Sequence, residues 1–292
     1  MTQLKHHTIT GGGGTRLHLV ETGNPRGQAV LFIHGFSQCW LAWERQLSSD
    51  LARDYRLIAM DMRGHGESDK PRESYEDSRL WADDVDACIR ELNIDRPILC
   101  GWSYGPLVVL DYVRHYGEAQ IGGLHFVGAI TKLGSEAALS VLTPEILALV
   151  PGLFASGVDE SIGSLESFVR MCFAREPSRS DLYTMLGYNA CVPPVVRQAL
   201  FSRILDNDDL LPAIRTPVLI THGAADAVVK REAVEQLRAG IPHARVHVIP
   251  DTGHAVFWDD AVSFNEELRN FCEEVRTSSA GSRPSGRSLA IP

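Results

Sequence analysis

The chain has 292 residues, 44% of them hydrophobic and 22% charged, with a formal net charge of -9. That length and composition suit one large globular domain, or one domain carrying an insertion. The acidic balance argues against nucleic acid or an anionic membrane as partner, because both require a basic face.

The six cysteines are Cys39, Cys88, Cys100, Cys172, Cys191 and Cys272, and no two have C-x-x-C spacing. They are expected to be small buried hydrophobes in a reducing compartment, neither a metal site nor a disulfide framework. The opening residues, MTQLKHHTITGGGG, contain no apolar run, and no stretch of about 18 apolar residues occurs anywhere. No secretory leader and no membrane span are predicted, and the expected location is cytoplasmic.

Leu4–Thr10 and Thr15–Glu21 alternate in polarity and predict two strands around Gly11–Gly14. The glycines precede a strand, not a helix, so they are read as a hairpin turn and not as a phosphate loop. Ala29–Ile33 is uniformly apolar, as in a strand buried on both faces, and it ends in His34-Gly35-Phe36. A helix is expected over Leu41–Arg53. The next strand, Tyr55–Met60, runs into Asp61-Met62-Arg63-Gly64-His65-Gly66-Glu67-Ser68-Asp69, where Asp61, Arg63 and His65 are expected to hold the loop. Trp81, Val85, Cys88, Ile89 and Leu92 then mark one face of a helix.

Pro97–Tyr116 reads as a strand, a tight turn at Gly101-Trp102-Ser103-Tyr104-Gly105, and an apolar helix. Gly123–Ile130 predicts a further strand. Strands alternating with helices imply an α/β protein with a mostly parallel sheet covered on both faces. From Thr131 to Pro212 the pattern is helical, rich in large apolar groups and without a clear strand, and Pro193-Pro194 suits a helix start. The alternation resumes with Pro217–Thr221, His222-Gly223-Ala224-Ala225-Asp226, a helix near Arg231–Ala239 and a strand at Arg245–Ile249. Asp251-Thr252-Gly253-His254 precedes a last helix carrying Phe264, Leu268, Phe271, Cys272 and Val275. The expected organisation is a core of residues 1–130 and 213–276 and an inserted helical cap at 131–212. Residues 277–292, rich in Ser, Gly, Arg and Pro, are expected to be disordered.

G-x-S-x-G on a strand–turn–helix is the setting that presents a nucleophilic serine, although the pattern alone is common. Ser103 needs a base to take its proton, and the base needs a carboxylate to orient it. In this architecture the order is serine, acid, histidine. His254 is the candidate base and Asp226 the candidate acid, with Asp251 as a rival close to His254. An oxyanion hole needs two amide donors. Tyr104 N, after the serine, is one; Phe36 N is the best second candidate, ahead of Ser37 N. Trp102, Phe154, Phe168, Met171 and Val228 are expected to line the substrate pocket.

With these motifs in order, the chain resembles the α/β-hydrolases, in particular the serine esterase and cofactor-free haloperoxidase-like branch. The resemblance rests on HGF at His34–Phe36, DMRGHGESD at Asp61–Asp69, GWSYG at Gly101–Gly105, HGAAD at His222–Asp226 and GH at Gly253–His254. LLPAIRTPVLITHG at Leu210–Gly223 adds to it, and the resemblance covers about Leu4 to Val275. It implies an α/β-hydrolase fold and hydrolysis of a small-molecule ester without metal or cofactor. Two positions depart from the family pattern: Val229 stands where a proline is frequent, and Phe36-Ser37 where x-P or G-G is frequent. Phe36 is expected to narrow the acyl side and favour small or medium acyl groups. Ser103 argues against relatives that use an aspartate nucleophile. A lactonase, a perhydrolase or a carbon–carbon bond hydrolase would need the same three residues, and a non-catalytic small-molecule receptor is the alternative of another class. The sequence does not fix the oligomeric state.

Overall fold

The computed structural model describes residues 3–281. Eight strands form one sheet: β1 (Lys5–Thr10), β2 (Arg16–Gly23), β3 (Ala29–Ile33), β4 (Arg56–Met60), β5 (Ile98–Trp102), β6 (Gly123–Val127), β7 (Val218–Gly223) and β8 (Arg245–Ile249). Their order is β1-β2-β4-β3-β5-β6-β7-β8, with β2 antiparallel to both its neighbours, β1 and β4, and every other pairing parallel. Every residue of β3, β5, β6 and β7 is buried. That is why their sequences read as mostly apolar runs instead of alternating ones, with His125 of β6 and Thr221 and His222 of β7 as the polar exceptions.

The sheet order fixes where the helices lie. From β3 the chain moves one way to β4 through α1 (Glu44–Leu47). From β4 it moves the opposite way to β5 through α2 (Ser78–Glu91), and on to β6 through α3 (Gly105–Tyr116). Because such crossovers are right-handed, α1 must cover one face and α2 and α3 the other. The reversal opens a crevice beyond the carboxyl ends of β3 and β5, the place where open α/β sheets bind ligands.

Between β6 and β7 the chain runs through five helices: α4 (Glu136–Ser140), α5 (Pro144–Leu153), α6 (Val158–Met171), α7 (Arg179–Ala190) and α8 (Pro194–Phe201). Backbone hydrogen bonds moor them to the sheet loops. Thr143 N donates to Val228 O at 3.0 Å, Lys230 N to Val141 O at 2.8 Å, and Ala255 N to Cys172 O at 2.7 Å. After β7 come α9 (Glu232–Gly240), then β8, α10 (Val256–Asp259) and α11 (Ala261–Gly281).

Three expectations need correction. Instead of one helix over Leu41–Arg53, the chain makes a 3-10 turn at Trp40–Trp43, the single turn α1, and a second 3-10 turn at Asp50–Arg53. Serine hydroxyls cause the break: Ser48 Oγ donates to Glu44 O, Ser49 Oγ donates to Gln46 O, and Ser49 Oγ accepts from Leu51 N to restart the chain. At the other end α11 continues through Gly281, so 277–281 are helical. Thr277 and Ser278 satisfy their hydroxyls on Glu274 O within the helix. The rest of the expected disordered tail, 282–292, lies outside the described residues. Finally, all six cysteines are free, but Cys191 is exposed at the end of α7.

Three of the buried histidines, His34, His65 and His125, are fully shielded from solvent. His125, in β6, bonds Thr221 Oγ1 at 2.8 Å and stacks on Phe264; His34 and His65 lie beneath the loops after β3 and β4. Burial pushes His34 down from the ordinary 6.5 to about 4, and His65 and His125 to about 3. Below pH 6.5 the unfolded chain therefore binds more protons than the folded one. This contribution to stability is complete above pH 6.5 and is lost as pH falls towards 4. Asp84 and Asp111, which burial shifts upward, work in the opposite sense but are outnumbered. Thermal unfolding followed at pH 7, 5.5 and 4.5 should show a midpoint that falls at each step; a midpoint unchanged down to pH 4.5 would contradict this.

Candidate active site

Ser103 follows β5 with φ at +59°, a left-handed conformation that side chains rarely adopt. Two hydrogen bonds to the end of β6 hold it there: Ser103 N to Val127 O at 2.8 Å, and Ile130 N to Ser103 O at 3.2 Å. The flanking glycines meet different neighbours. A Cβ at Gly101 would lie 2.7 Å from the carbonyl carbon of Gly105 and from Pro106 N, the start of α3. A Cβ at Gly105 would lie 2.5 Å from Ile33 O, at the end of β3. The turn is wedged between its own helix and the adjacent strand, with no room for a methyl group on either side.

His254 and Asp226 come from the loops after β8 and β7. His254 Nδ1 lies 2.8 Å from Asp226 Oδ2, and both side chains are only 1% exposed. Asp226 Oδ1 accepts from Val228 N at 2.8 Å and Val229 N at 2.9 Å. Burial alone would raise the Asp226 carboxyl. His254, His222 and the Val229 amide outweigh that and hold it below its ordinary value. An ionised Asp226 accepts from His254 Nδ1–H, the tautomer that places the lone pair of a neutral ring on Nε2. That Nε2 is buried and has no hydrogen-bond partner among the described residues. Asp251 sits at φ +55° in the same loop and makes no hydrogen bond to the ring among the described residues.

The end of β6 brings the serine and the histidine to one corner. Val127 holds Ser103 N, and the next residue, Gly128, has φ +50° and lies tightly against the histidine: a Cβ there would be 3.0 Å from His254 Nδ1. Trp102 braces the histidine from the elbow, donating Nε1–H to His254 O at 3.0 Å. Gly128 was not singled out from sequence, and nothing in its local pattern marks it.

The loop after β3 lies against the serine, since a Cβ on Gly35 would be 3.1 Å from Ser103 Cβ. The His34 ring shapes this loop. Its Nδ1 donates to Gly35 O at 2.8 Å and its Nε2 accepts from Met62 N at 3.1 Å. Among the described residues, neither Phe36 N nor Tyr104 N donates to any acceptor. Ser37, the other candidate, has φ +61° and bonds Asn189 O through its hydroxyl. The Tyr104 side chain is turned away from the loop, with its hydroxyl donating to Leu200 O at 3.2 Å.

A small apolar cavity of about 40 Å3 opens on Ser103. Phe36, Tyr104, Leu153, Phe168, Phe201 and Val228 are among the residues that line it. Of the five residues expected to line a substrate pocket, Phe168 and Val228 border this cavity, and Trp102, Phe154 and Met171 lie elsewhere. Trp102 borders a separate apolar cavity of about 10 Å3 with Phe173, Met185 and Trp258. Phe154 stands behind the wall, edge-on to Phe201 with ring centroids 5.6 Å apart. Met171 is the last residue of α6 and packs against the core. Leu153 was missed because an apolar residue facing a cavity has the same helical spacing as one facing the core. The same holds for Phe201, in the last helix of the inserted region.

Residues 28–261 match the family model described as the alpha/beta hydrolase fold. Among solved structures, an esterase from Rhodococcus sp. ECU1013 is 34% identical with a TM-score of 0.88, covering 92% of this chain and 99% of that one. A protein of Burkholderia cenocepacia provisionally called an aryl esterase is 31% identical with a TM-score of 0.88, covering 94% and 100%. A non-heme haloperoxidase of Rhodococcus erythropolis is 26% identical over 273 residues, covering 91% of this chain and 98% of the relative.

The tightness of the elbow is measurable. Gly101→Ala places a methyl group against backbone atoms that cannot yield, so the variant should lose about 2 kcal/mol or more. Urea unfolding reads this as a lower midpoint, and an unchanged midpoint would show that the turn has room to spare.

Proposed function

This chain belongs to the α/β-hydrolase family, and from that premise we propose that it is a serine esterase for small or medium acyl groups. One observation carries the reading: the Asp226–His254 pair, with both side chains only 1% exposed, stands at the corner that also holds the left-handed Ser103. A carboxylate held against one ring nitrogen of a histidine fixes that ring so that its other nitrogen can serve as a base. The esterases from Rhodococcus and Burkholderia cenocepacia support the same reaction class.

In this mechanism His254 Nε2 takes the Ser103 proton as Oγ attacks the ester carbonyl. Asp226 stabilises the imidazolium that results. Phe36 N and Tyr104 N donate to the oxyanion. The imidazolium then protonates the leaving alcohol, and His254 activates the water that releases the acid from the acyl-enzyme. Helices α4–α8 act as the cap, and through Leu153, Phe168 and Phe201 they close the acyl side. A cavity of about 40 Å3 holds roughly three water-sized bodies. Acetyl to butyryl groups fit with little adjustment, and longer chains have to displace an aromatic ring.

Nitrophenyl esters from two to twelve carbons test this reading. Acetate to butyrate should be cleaved faster than chains beyond about eight carbons, and Phe201→Ala should shift the optimum to longer chains. Ser103→Ala and Asp226→Asn should each lower kcat by about 10^4-fold. A maximum at long acyl chains would remove the proposed chain-length preference, and full turnover by Ser103→Ala would remove the mechanism.

A further inference from the structure

Away from the elbow, three side chains from distant parts of the sequence bring metal-ligating atoms together. His6 of β1, His18 of β2 and Glu67 of the loop after β4 place one such atom each within 4.8 Å of one another. His6 Nδ1 is 2.9 Å from His18 Nε2, and Glu67 Oε1 is 3.9 Å from the same nitrogen. From this geometry we propose that His6, His18 and Glu67 form a binding site for a first-row transition-metal dication, with Zn2+ as the principal occupant.

The polar groups behind these residues support the assignment. His18 is buried, and its other ring nitrogen, Nδ1, lies 2.8 Å from Asp61 Oδ2. Metal-ligating histidines commonly donate their second N–H to a carboxylate in this way, which fixes the tautomer and turns the free lone pair towards the metal. Asp61 Oδ2 also accepts from Glu67 N at 2.9 Å, so one buried oxygen anchors two of the three ligands. Asp61 Oδ1 accepts from Trp40 N at 2.7 Å, and the Trp40 ring stands edge-on to His6 at 6.0 Å. On the hairpin His6 pairs with Val20 and Thr8 with His18, so the two histidines are diagonal neighbours on one face. The nearby cations are engaged elsewhere: Lys70 Nζ donates to Gly66 O and Ser68 O, and Arg16 pairs with Asp69.

The change required on binding is small. In the neutral tautomer that donates Nδ1–H to Asp61, His18 Nε2 accepts from His6 Nδ1. With metal, the His6 proton moves through water to its Nε2, and both nitrogens present lone pairs without net loss of a proton. Bonds of about 2.0–2.1 Å in a tetrahedral site separate two ligand nitrogens by about 3.3 Å, a slight opening of the present contact. Glu67 and His6 are exposed, so the ion can enter from solvent and water can complete the shell. Two imidazoles and a carboxylate suit Zn2+, Cu2+, Ni2+ and Co2+ and are a poor set for Mg2+ or Ca2+.

The test uses the full chain, free of any polyhistidine tag and stripped with a chelator. Equilibrium dialysis against Zn2+ should give one ion per chain, and Co2+ should produce a ligand-field absorption band. His6→Ala and Glu67→Gln, both at exposed positions, should each weaken Zn2+ binding at least about tenfold while leaving the far-ultraviolet circular dichroism and the ester hydrolysis rate unchanged. Zn2+ should raise the unfolding midpoint of the native chain and not that of His6→Ala. Absence of stoichiometric Zn2+, or binding undiminished in both variants, would overturn the proposal and leave a plain hydrogen bond between two histidines.

Discussion

Between Trp102 and Gly105 the backbone has no free space. A methyl group at Gly101 would strike α3, and one at Gly105 would strike β3. The residue caught between them is forced into a left-handed conformation, with its hydroxyl at the apex of the turn. This steric constraint holds only while β3, β5 and α3 are packed together, which makes the sheet order part of the site. β3 and β5 are also the strands at which the crossovers reverse direction. The crevice that the topology opens and the turn that presents Ser103 therefore coincide.

The loops around that crevice owe their shape to buried polar side chains. His34 ties the turn after β3 to Met62, and Asp61 accepts from Trp40, Glu67 and His18. Arg63 forms two short bonds with Asp84, and it also satisfies the carbonyls of Gly12, Ser74 and Leu80. Arg203 pairs with Asp111 and reaches the Tyr104 hydroxyl. Removing either partner of such a pair would strand a buried charge, at a cost of about 3–5 kcal/mol. The amides of Phe36 and Tyr104 can thus be held in place by loops that have no regular structure of their own.

Much of this was legible in the sequence, for definite physical reasons. Strands buried on both faces carry few polar residues, so β3, β5 and the start of β7 stood out as apolar runs, while the polar His125 and Thr221 of β6 and β7 bond each other. A serine flanked by obligatory glycines at the end of such a run marks a tight turn, and the order of Asp226 and His254 along later strands gave that turn a chemical context. The helix after β3 was not legible as three pieces, because serine hydroxyls competing for backbone carbonyls leave the hydrophobic spacing intact. Nor could Phe201 and Leu153 be told from core residues, since a cavity changes what a side chain faces and not where it falls on the helix. The cluster of His6, His18 and Glu67 has no spacing signal at all; only the hairpin and the return of β4 beside it bring the three together.

The direct measurement of the central claim is covalent trapping of the serine at the elbow. An activated Ser103 should react with a fluorophosphonate to give one adduct per chain by intact mass, located by fragmentation on Ser103. His254→Ala should slow that labelling by orders of magnitude, because the hydroxyl would lose its base. No adduct, an adduct on another residue, or labelling of His254→Ala at the native rate would contradict the account.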